Sequence, residues 1–249
     1  MQEHAYYELS NLGTDYWWYR GQRRIFETLL RELGDVSSKS VLEIGCGPGL
    51  NLMSLFSGFG SKTGLDASEL AVELAAKNLG DQARILVGDA NDLKVEGTFN
   101  LVAFLYVLYH QNIRSPGEVL AKVCDLVAPG GWLFVTEPAL RCLRGRHSEV
   151  VHEARRFTLD GLESMVAAAG FTVRRATYWG VLPAALLYVK RRVLERLFPT
   201  DLEDQATDGQ RVPAWVESAL YCWLNIEGMV IPRTNLPVGA WAVILAQKD

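Results

Sequence analysis

The run "VLEIGCGPG" at 41–49 sets Gly45, Gly47 and Gly49 at alternate positions directly after an apolar stretch. Glycine has no side chain, so such a turn lets a ligand lie against bare main chain. A dinucleotide pyrophosphate asks for G-x-G-x-x-G between strand and helix. Here the spacing is G-x-G-x-G and position 50 is Leu50, which argues against a nicotinamide cofactor. Such turns also occur for packing alone. His110, His147 and His152 can exchange a proton near neutral pH, although many such histidines are surface or capping residues. No Asp/Glu/His group has ligand spacing and no cysteine pair has C-x-x-C spacing, so no metal is expected.

The elements that must hold these residues alternate along 40–138. Strands are read at 40–45, 62–66, 83–89, 99–105 and 132–138, and helices at 50–59, 68–80 and 115–128, with a "PGG" turn at 129–131. Ser68 and Ser115 are expected helix caps, with Pro116 at a first helical position. This alternation predicts a parallel sheet covered on both faces, with ligands beyond the carboxyl ends of its strands. Further on, 140–157 is crowded with charge and has no clean period. A helix is expected at 158–171, a sixth strand at 172–180 and helical stretches at 186–198 and 214–230. An acidic loop at 199–213 separates the last two, and a closing strand is expected at 239–248.

The chain has 249 residues, a net charge of −4 and nearly half apolar residues. A core can be buried, and no global basic field invites a nucleic-acid backbone. No apolar run reaches the ~20 residues that span a bilayer, and the N-terminus lacks a secretory pattern. A cytoplasmic protein without stable membrane insertion is expected.

These segments resemble the class I S-adenosylmethionine-dependent methyltransferases. "VLEIGCGPG" resembles their first motif, "GLDAS" (64–68) the acidic end of the second strand, and "GDANDL" (88–93) the adenine-contacting motif. "FNLVAFLYVLYH" (99–110) and "LVAPGGWLFVTEP" (126–138) are similar to the fourth strand with its loop and to the approach to the fifth. The flanks "DYWWYRGQRRIFETLL" (15–30), "RHSEVVHEARRFTLDGLESMVAAAGF" (146–171) and "LPVGAWAVILAQK" (236–248) narrow the likeness to a bacterial small-molecule subgroup of methyltransferase type 11/23.

The resemblance implies a doubly wound, seven-stranded Rossmann-like methyltransferase sheet with its last strand antiparallel. It implies one domain: an N-terminal helical lid (1–34), a cofactor-binding core (35–180), a helical insertion capping the acceptor (181–237) and a closing strand (238–249). S-adenosylmethionine would lie against Gly45, Cys46, Gly47 and Gly49. Asp66 would accept from its ribose hydroxyls, with Ala67 beside it, and Asp89 and Ala90 would meet the adenine. Glu43 would support the turn or the methionyl amine, and Leu105 closes strand four beside them. Trp18 and Arg23 have two readings, a hydrophobic staple or a lid that closes over the cofactor and its carboxylate. Related quinone-type enzymes carry an acid before the histidine after strand four; here Tyr109 precedes His110, which again argues against a metal.

The expected reaction is methyl transfer to oxygen or nitrogen of a small molecule, with His147 or His152 as general base and His110 positioning. Arg141, Arg144, Arg146, Arg155 and Arg156 would favour an anionic acceptor if they line the pocket; the plainer reading pairs them with Glu149 and Glu153. Trp215, Tyr221 and Trp223 are expected to wall that pocket, and the basic–apolar stretch at 186–198 could cap it or instead meet a second subunit of a homodimer or a membrane. The alternatives are an NAD-dependent oxidoreductase or a catalytically silent S-adenosylmethionine-binding module.

Overall fold

A computed structural model describes residues 6–7, 13–191 and 213–249; the side chains of 146 and 147 are outside the described part. Seven strands form one sheet: β1 (Ser40–Ile44), β2 (Ser61–Asp66), β3 (Arg84–Val87), β4 (Phe99–Leu105), β5 (Val127–Pro138), β6 (Phe171–Trp179) and β7 (Trp241–Lys248). Their order is β3-β2-β1-β4-β5-β7-β6. β1 to β5 run parallel, and β7 is antiparallel to both β5 and β6. Strand order reverses between β1 and β4, so the crevice for a ligand opens at their carboxyl ends.

Each face of the sheet is covered by helices with an apolar stripe. On one side α4 (Pro116–Leu126) and α6 (Leu159–Ala168) bury Val119, Leu120, Val123, Leu162 and Val166. On the other, α1 (Trp17–Leu30) contributes Ile25, Phe26 and Leu29, and α3 (Glu69–Leu79) contributes Ala75 and Leu79. Side-chain caps start the helices as expected: Ser68 Oγ accepts from Ala71 N–H (3.3 Å) and Ser115 Oγ from Glu118 N–H (3.4 Å).

Three local expectations are corrected. The helix after the glycine turn, α2, covers only Leu50–Met53. Ser54 and Ser57 donate to the carbonyls of Leu50 and Ser54 (2.7 Å each), and such local bonds compete with the helical ladder. The "PGG" segment belongs to β5, whose register against β4 shifts between Phe99 and Leu101. Within 140–157 a short helix, α5, spans Arg146–Val150.

The first insertion helix, α7, starts directly after β6 at Val181 and runs to Val189, earlier than the sequence pattern placed it. Most of the expected 186–198 stretch and of the acidic loop lies outside the described residues. The second, α8 (Ala214–Val230), matches its expected span. It packs on α1, where a Cβ on Gly21 would come within 2.3 Å of Leu224 Cδ1. The buried Glu227 of α8 accepts from the N–H groups of Gly180 (2.6 Å) and Val181 (2.9 Å), capping α7 from a neighbouring helix.

Candidate functional site

Where β1 ends, Gly45, Gly47 and Gly49 have φ of 73°, 52° and 81°, the left-handed region that favours glycine. A Cβ would strike Val107 Cγ2 at 2.4 Å from position 45 and Leu79 Cδ1 at 2.6 Å from position 49, but would meet nothing within 4 Å at position 47. Packing therefore demands the outer two glycines, and only Gly47 opens outward. Cys46 is buried, its sulfur 2.8 Å from where a Cβ on Gly64 would sit. Its side chain packs against β2, and burial pushes its thiol pKa well up.

Asp66 closes β2 with one oxygen on Gly47 N–H and the other on Ser68 N–H (2.9 Å each). Burial raises its pKa, opposed by those same donors. Each carboxylate oxygen keeps a second acceptor direction. Ala67 lies between Asp66 and the Ser68 cap. After β3, Asp89 Oδ1 accepts from Asn91 N–H (2.8 Å) and Nδ2 (2.7 Å), a tight turn that buries Ala90.

Glu43 is buried beneath the glycine turn. Its Oε1 accepts from Asn51 Nδ2 (2.7 Å), while Oε2 has no hydrogen-bond partner among the described residues. Desolvation pushes its pKa up to about 8, with the Asp66 charge adding to the rise. Asn51 Oδ1 in turn lies 3.5 Å from Gln22 Nε2, and Gln22 Oε1 accepts from the Tyr106 hydroxyl (2.8 Å). Gln22, Asn51 and Tyr106 escaped the sequence reading. Gln22 left one trace, a polar residue three and four positions before Ile25 and Phe26 on an apolar face. Tyr6 was missed too: it is buried beside Asp66, and burial, with the Asp66 charge, pushes its hydroxyl pKa up to about 12 against the opposing hydrogen bond to the Ser68 side chain.

The loop leaving β4 after the buried Leu105 forms the other wall. Tyr106 has φ 63°, a costly conformation for a residue with a side chain. The buried Glu137 of β5 holds the next three residues: Oε1 accepts from Val107 (3.0 Å) and Leu108 (2.7 Å) N–H, and Oε2 from Tyr109 N–H (3.1 Å). Beyond them, the rings of His110 and His152 lie 5.8 Å apart. His110 Nδ1 accepts from the main-chain N–H of Asn112 (3.2 Å), so a neutral ring carries its proton on Nε2. Burial lowers its pKa to about 4. His152 Nδ1 faces the Gln111 side-chain amide at 3.2 Å, and His152 itself has φ 53°. The structure thus brings His110 and His152 together; His147 lies in α5, with its side chain outside the described part.

The arginines are mostly used internally. Arg156 pairs with the buried Glu153 (2.7 Å), Arg155 donates to the carbonyls of Leu108 (3.2 Å) and Ile113 (2.8 Å), and Arg144 donates to that of Glu153 (3.2 Å). Arg155 fastens the 144–156 segment to the β4 loop, while Arg144 and Arg156 tie that segment together and to Ala139; none of these contacts supports an anion-lined pocket. Trp18 stacks on Trp179 (5.1 Å, 28°) and leans on Trp241 (4.3 Å). Arg23 lies 3.9 Å from Glu27 in an i,i+4 pair. Trp215 is 75% exposed, Trp223 is also exposed, and Tyr221 lies under Arg20 at 4.1 Å.

A methyltransferase-domain family model matches residues 17–176, from α1 into β6. The ubiquinone biosynthesis O-methyltransferase of Burkholderia orbicola is 30% identical over 105 residues, covering 40% of this chain and 44% of that protein. The chain thus spans less than half the length of that relative. The tRNA U34 carboxymethyltransferase of Klebsiella pneumoniae is 30% identical over 252 residues, covering 97% of this chain and 69% of that one. An S-adenosylmethionine-dependent methyltransferase from Mesorhizobium loti shares the fold, with a TM-score of 0.59, 14% identity and coverage of 88% and 96% of the two chains. With the reversal of strand order at the glycine turn, the acid at the tip of β2 and the antiparallel β7, the chain belongs to the class I S-adenosylmethionine-dependent methyltransferases.

Proposed function

We propose that the protein methylates an oxygen or nitrogen of a small-molecule acceptor, with S-adenosylmethionine as donor. The observation that carries this reading is the buried, unpartnered Glu43 Oε2 beneath a glycine turn whose middle residue faces open space. An orphaned carboxylate oxygen costs about 1–3 kcal/mol or more unless a donor meets it. A ligand ammonium supplies that donor. Asp66 retains acceptor directions for two vicinal hydroxyls, and Asp89 and Ala90 offer an acceptor and a main-chain donor to a purine edge. The bound sulfonium supplies both the activated methyl group and its leaving group.

The chain's own residues then align the acceptor and take its proton. Glu137 fixes the β4 loop, and that loop presents His110 as a neutral Nε2–H donor that orients the acceptor oxygen. His152 is the proton acceptor of this scheme. The Gln111 side-chain Nε2, 3.2 Å from His152 Nδ1, holds that ring beside His110. The internal use of Arg144, Arg155 and Arg156 favours an uncharged acceptor over an anionic one.

A second reading, a nucleic-acid acceptor, draws on the near full-length likeness to the tRNA enzyme. Incubation with methyl-labelled S-adenosylmethionine and separate panels of phenols, amines and bulk tRNA separates the two. Label in the phenol or amine fraction supports the proposal, and label only in tRNA overturns its small-molecule part. Binding of NAD in place of S-adenosylhomocysteine would overturn it altogether. Binding of S-adenosylhomocysteine without transfer to any acceptor favours the silent module.

A further inference from the structure

The outer surface of α8 does not look like the outside of a helix in water. Trp215, Cys222, Ile226 and Met229 are exposed at spacings of seven, four and three, one continuous stripe along the helix, with Trp223 beside it. Ile226 is 52% exposed and Met229 56%. Single apolar residues on a surface mean little, but an aligned stripe of large ones marks a contact face. α7, whose first turn is capped from α8 by Glu227, adds exposed Leu186, Tyr188 and Val189.

Charge borders this stripe. A groove of about 350 Å³ between α1 and α8 is lined by Arg24, Thr28, Arg31, Gly228, Met229, Pro232 and Arg233. Three of its seven residues are arginines and none is acidic. Met229 belongs to both the groove and the stripe. Arg24 and Thr28 share one face of α1 with Arg20, which lies over Tyr221, and Arg31 directly follows the helix end. Concentrated positive charge on a chain of net charge −4 is a local feature, and no ion pair to Arg24, Arg31 or Arg233 occurs among the described residues.

We propose that this face of α8, with the arginine groove beside it, is a peripheral docking surface for an anionic lipid bilayer. Trp215, Ile226 and Met229 enter the boundary between headgroups and acyl chains, while Arg24, Arg31 and Arg233 meet lipid phosphates. An apolar stripe next to cations that have no ion pair among the described residues matches both layers of such a surface. A nucleic-acid backbone would use the arginines and leave Ile226 and Met229 in water, and a second copy pairing through this same face would set arginines against arginines. No helix among the described residues is long and apolar enough to span a membrane, so the contact is lateral. The surface lies apart from the glycine turn and does not depend on the proposed reaction.

The test is flotation of the full chain with vesicles of phosphatidylcholine alone or mixed with phosphatidylglycerol. Flotation with the anionic vesicles, falling as salt rises, is expected. Ile226→Glu with Met229→Glu should lower the bound fraction at least tenfold, and each of Arg24→Ala, Arg31→Ala and Arg233→Ala about fivefold. S-adenosylhomocysteine affinity should be unchanged in all of them, which separates this surface from the cofactor site and reports that the variants fold. Absence of binding to anionic vesicles, binding unaffected by the glutamates, or a solution dimer that the glutamates dissolve would each overturn the proposal. So would binding of single-stranded RNA that the arginine variants weaken while vesicles are ignored.

Discussion

Glu43 combines a buried position, an unpartnered oxygen and a pKa near 8, so at pH 7 it is largely protonated in the free protein. A ligand ammonium beside it favours the carboxylate. Binding of S-adenosylhomocysteine near pH 7 should therefore release close to one proton, seen as a binding enthalpy that varies with the ionisation enthalpy of the buffer. Glu43→Gln should abolish that dependence and weaken binding about tenfold or more; proton release that survives the substitution would place the ammonium elsewhere. His110 is the reverse case. Its lowered pKa of about 4 and its bonded Nδ1 predict a neutral Nε2–H tautomer down to about pH 5, checked by nitrogen-15 spectra of the imidazole. The glycines, Asp66 and Asp89 were legible because the need for bare or acidic residues at strand ends is local. The Gln22–Asn51–Glu43 line was not, because it joins residues 29 and 8 positions apart that meet only when α1 lies across the sheet.

Among the elements, the β4 loop depends on one side chain. Three consecutive main-chain N–H groups converge on Glu137, and the preceding Tyr106 is held at positive φ. Glu137→Gln turns one acceptor into a donor facing those N–H groups. Above about pH 8, where Glu137 is ionised, the change should destabilise the protein by about 1–3 kcal/mol, with faster hydrogen exchange at Leu108 and Tyr109 than at the β1 amides. Equal protection in both variants would mean the loop is fixed by something else. The contact of α1 with α8 has a similar single point at Gly21. Gly21→Val should cost about 1–3 kcal/mol from overpacking against Leu224, lowering Tm by about 2–4 °C per kcal/mol, whereas Gly47→Ala should affect ligand binding more than folding because its outward side is open. The strands and capped helices of the core were readable from period and caps. The short α2 and the early start of α7 were not, since the first is set by serine back-bonds and the second by a carboxylate from a distant helix.

For the molecule as a whole, buried acids shape stability against pH. Glu43 and Glu137 have folded pKa values of about 8, above the ordinary 4.5, so the folded chain binds more protons than the unfolded between those values. Their contribution is fully present below about pH 4.5 and is lost as pH rises through 8. His110 acts oppositely: its contribution is present above pH 6.5 and is lost as pH falls towards 4. Thermal unfolding of the free protein should occur at a higher temperature at pH 6 than at pH 9, and a midpoint that climbs from pH 6 to 9 would contradict these assignments. Fold and family were legible because five ordered motifs fix the sheet and its switch point. Which of the two readings holds for the arginines of 144–156 was not legible, because whether a guanidinium faces a ligand or a carbonyl is decided by tertiary packing. The central claim is that the crevice between Gly47, Glu43 and Asp66 holds the adenosyl ligand. Calorimetric titration with S-adenosylhomocysteine tests it most directly. Saturable one-to-one binding to the wild type is expected, about 100-fold weaker for Asp66→Ala through loss of two charge-assisted hydrogen bonds. Undiminished affinity in a folded Asp66→Ala variant, or no binding to the wild type, would contradict it.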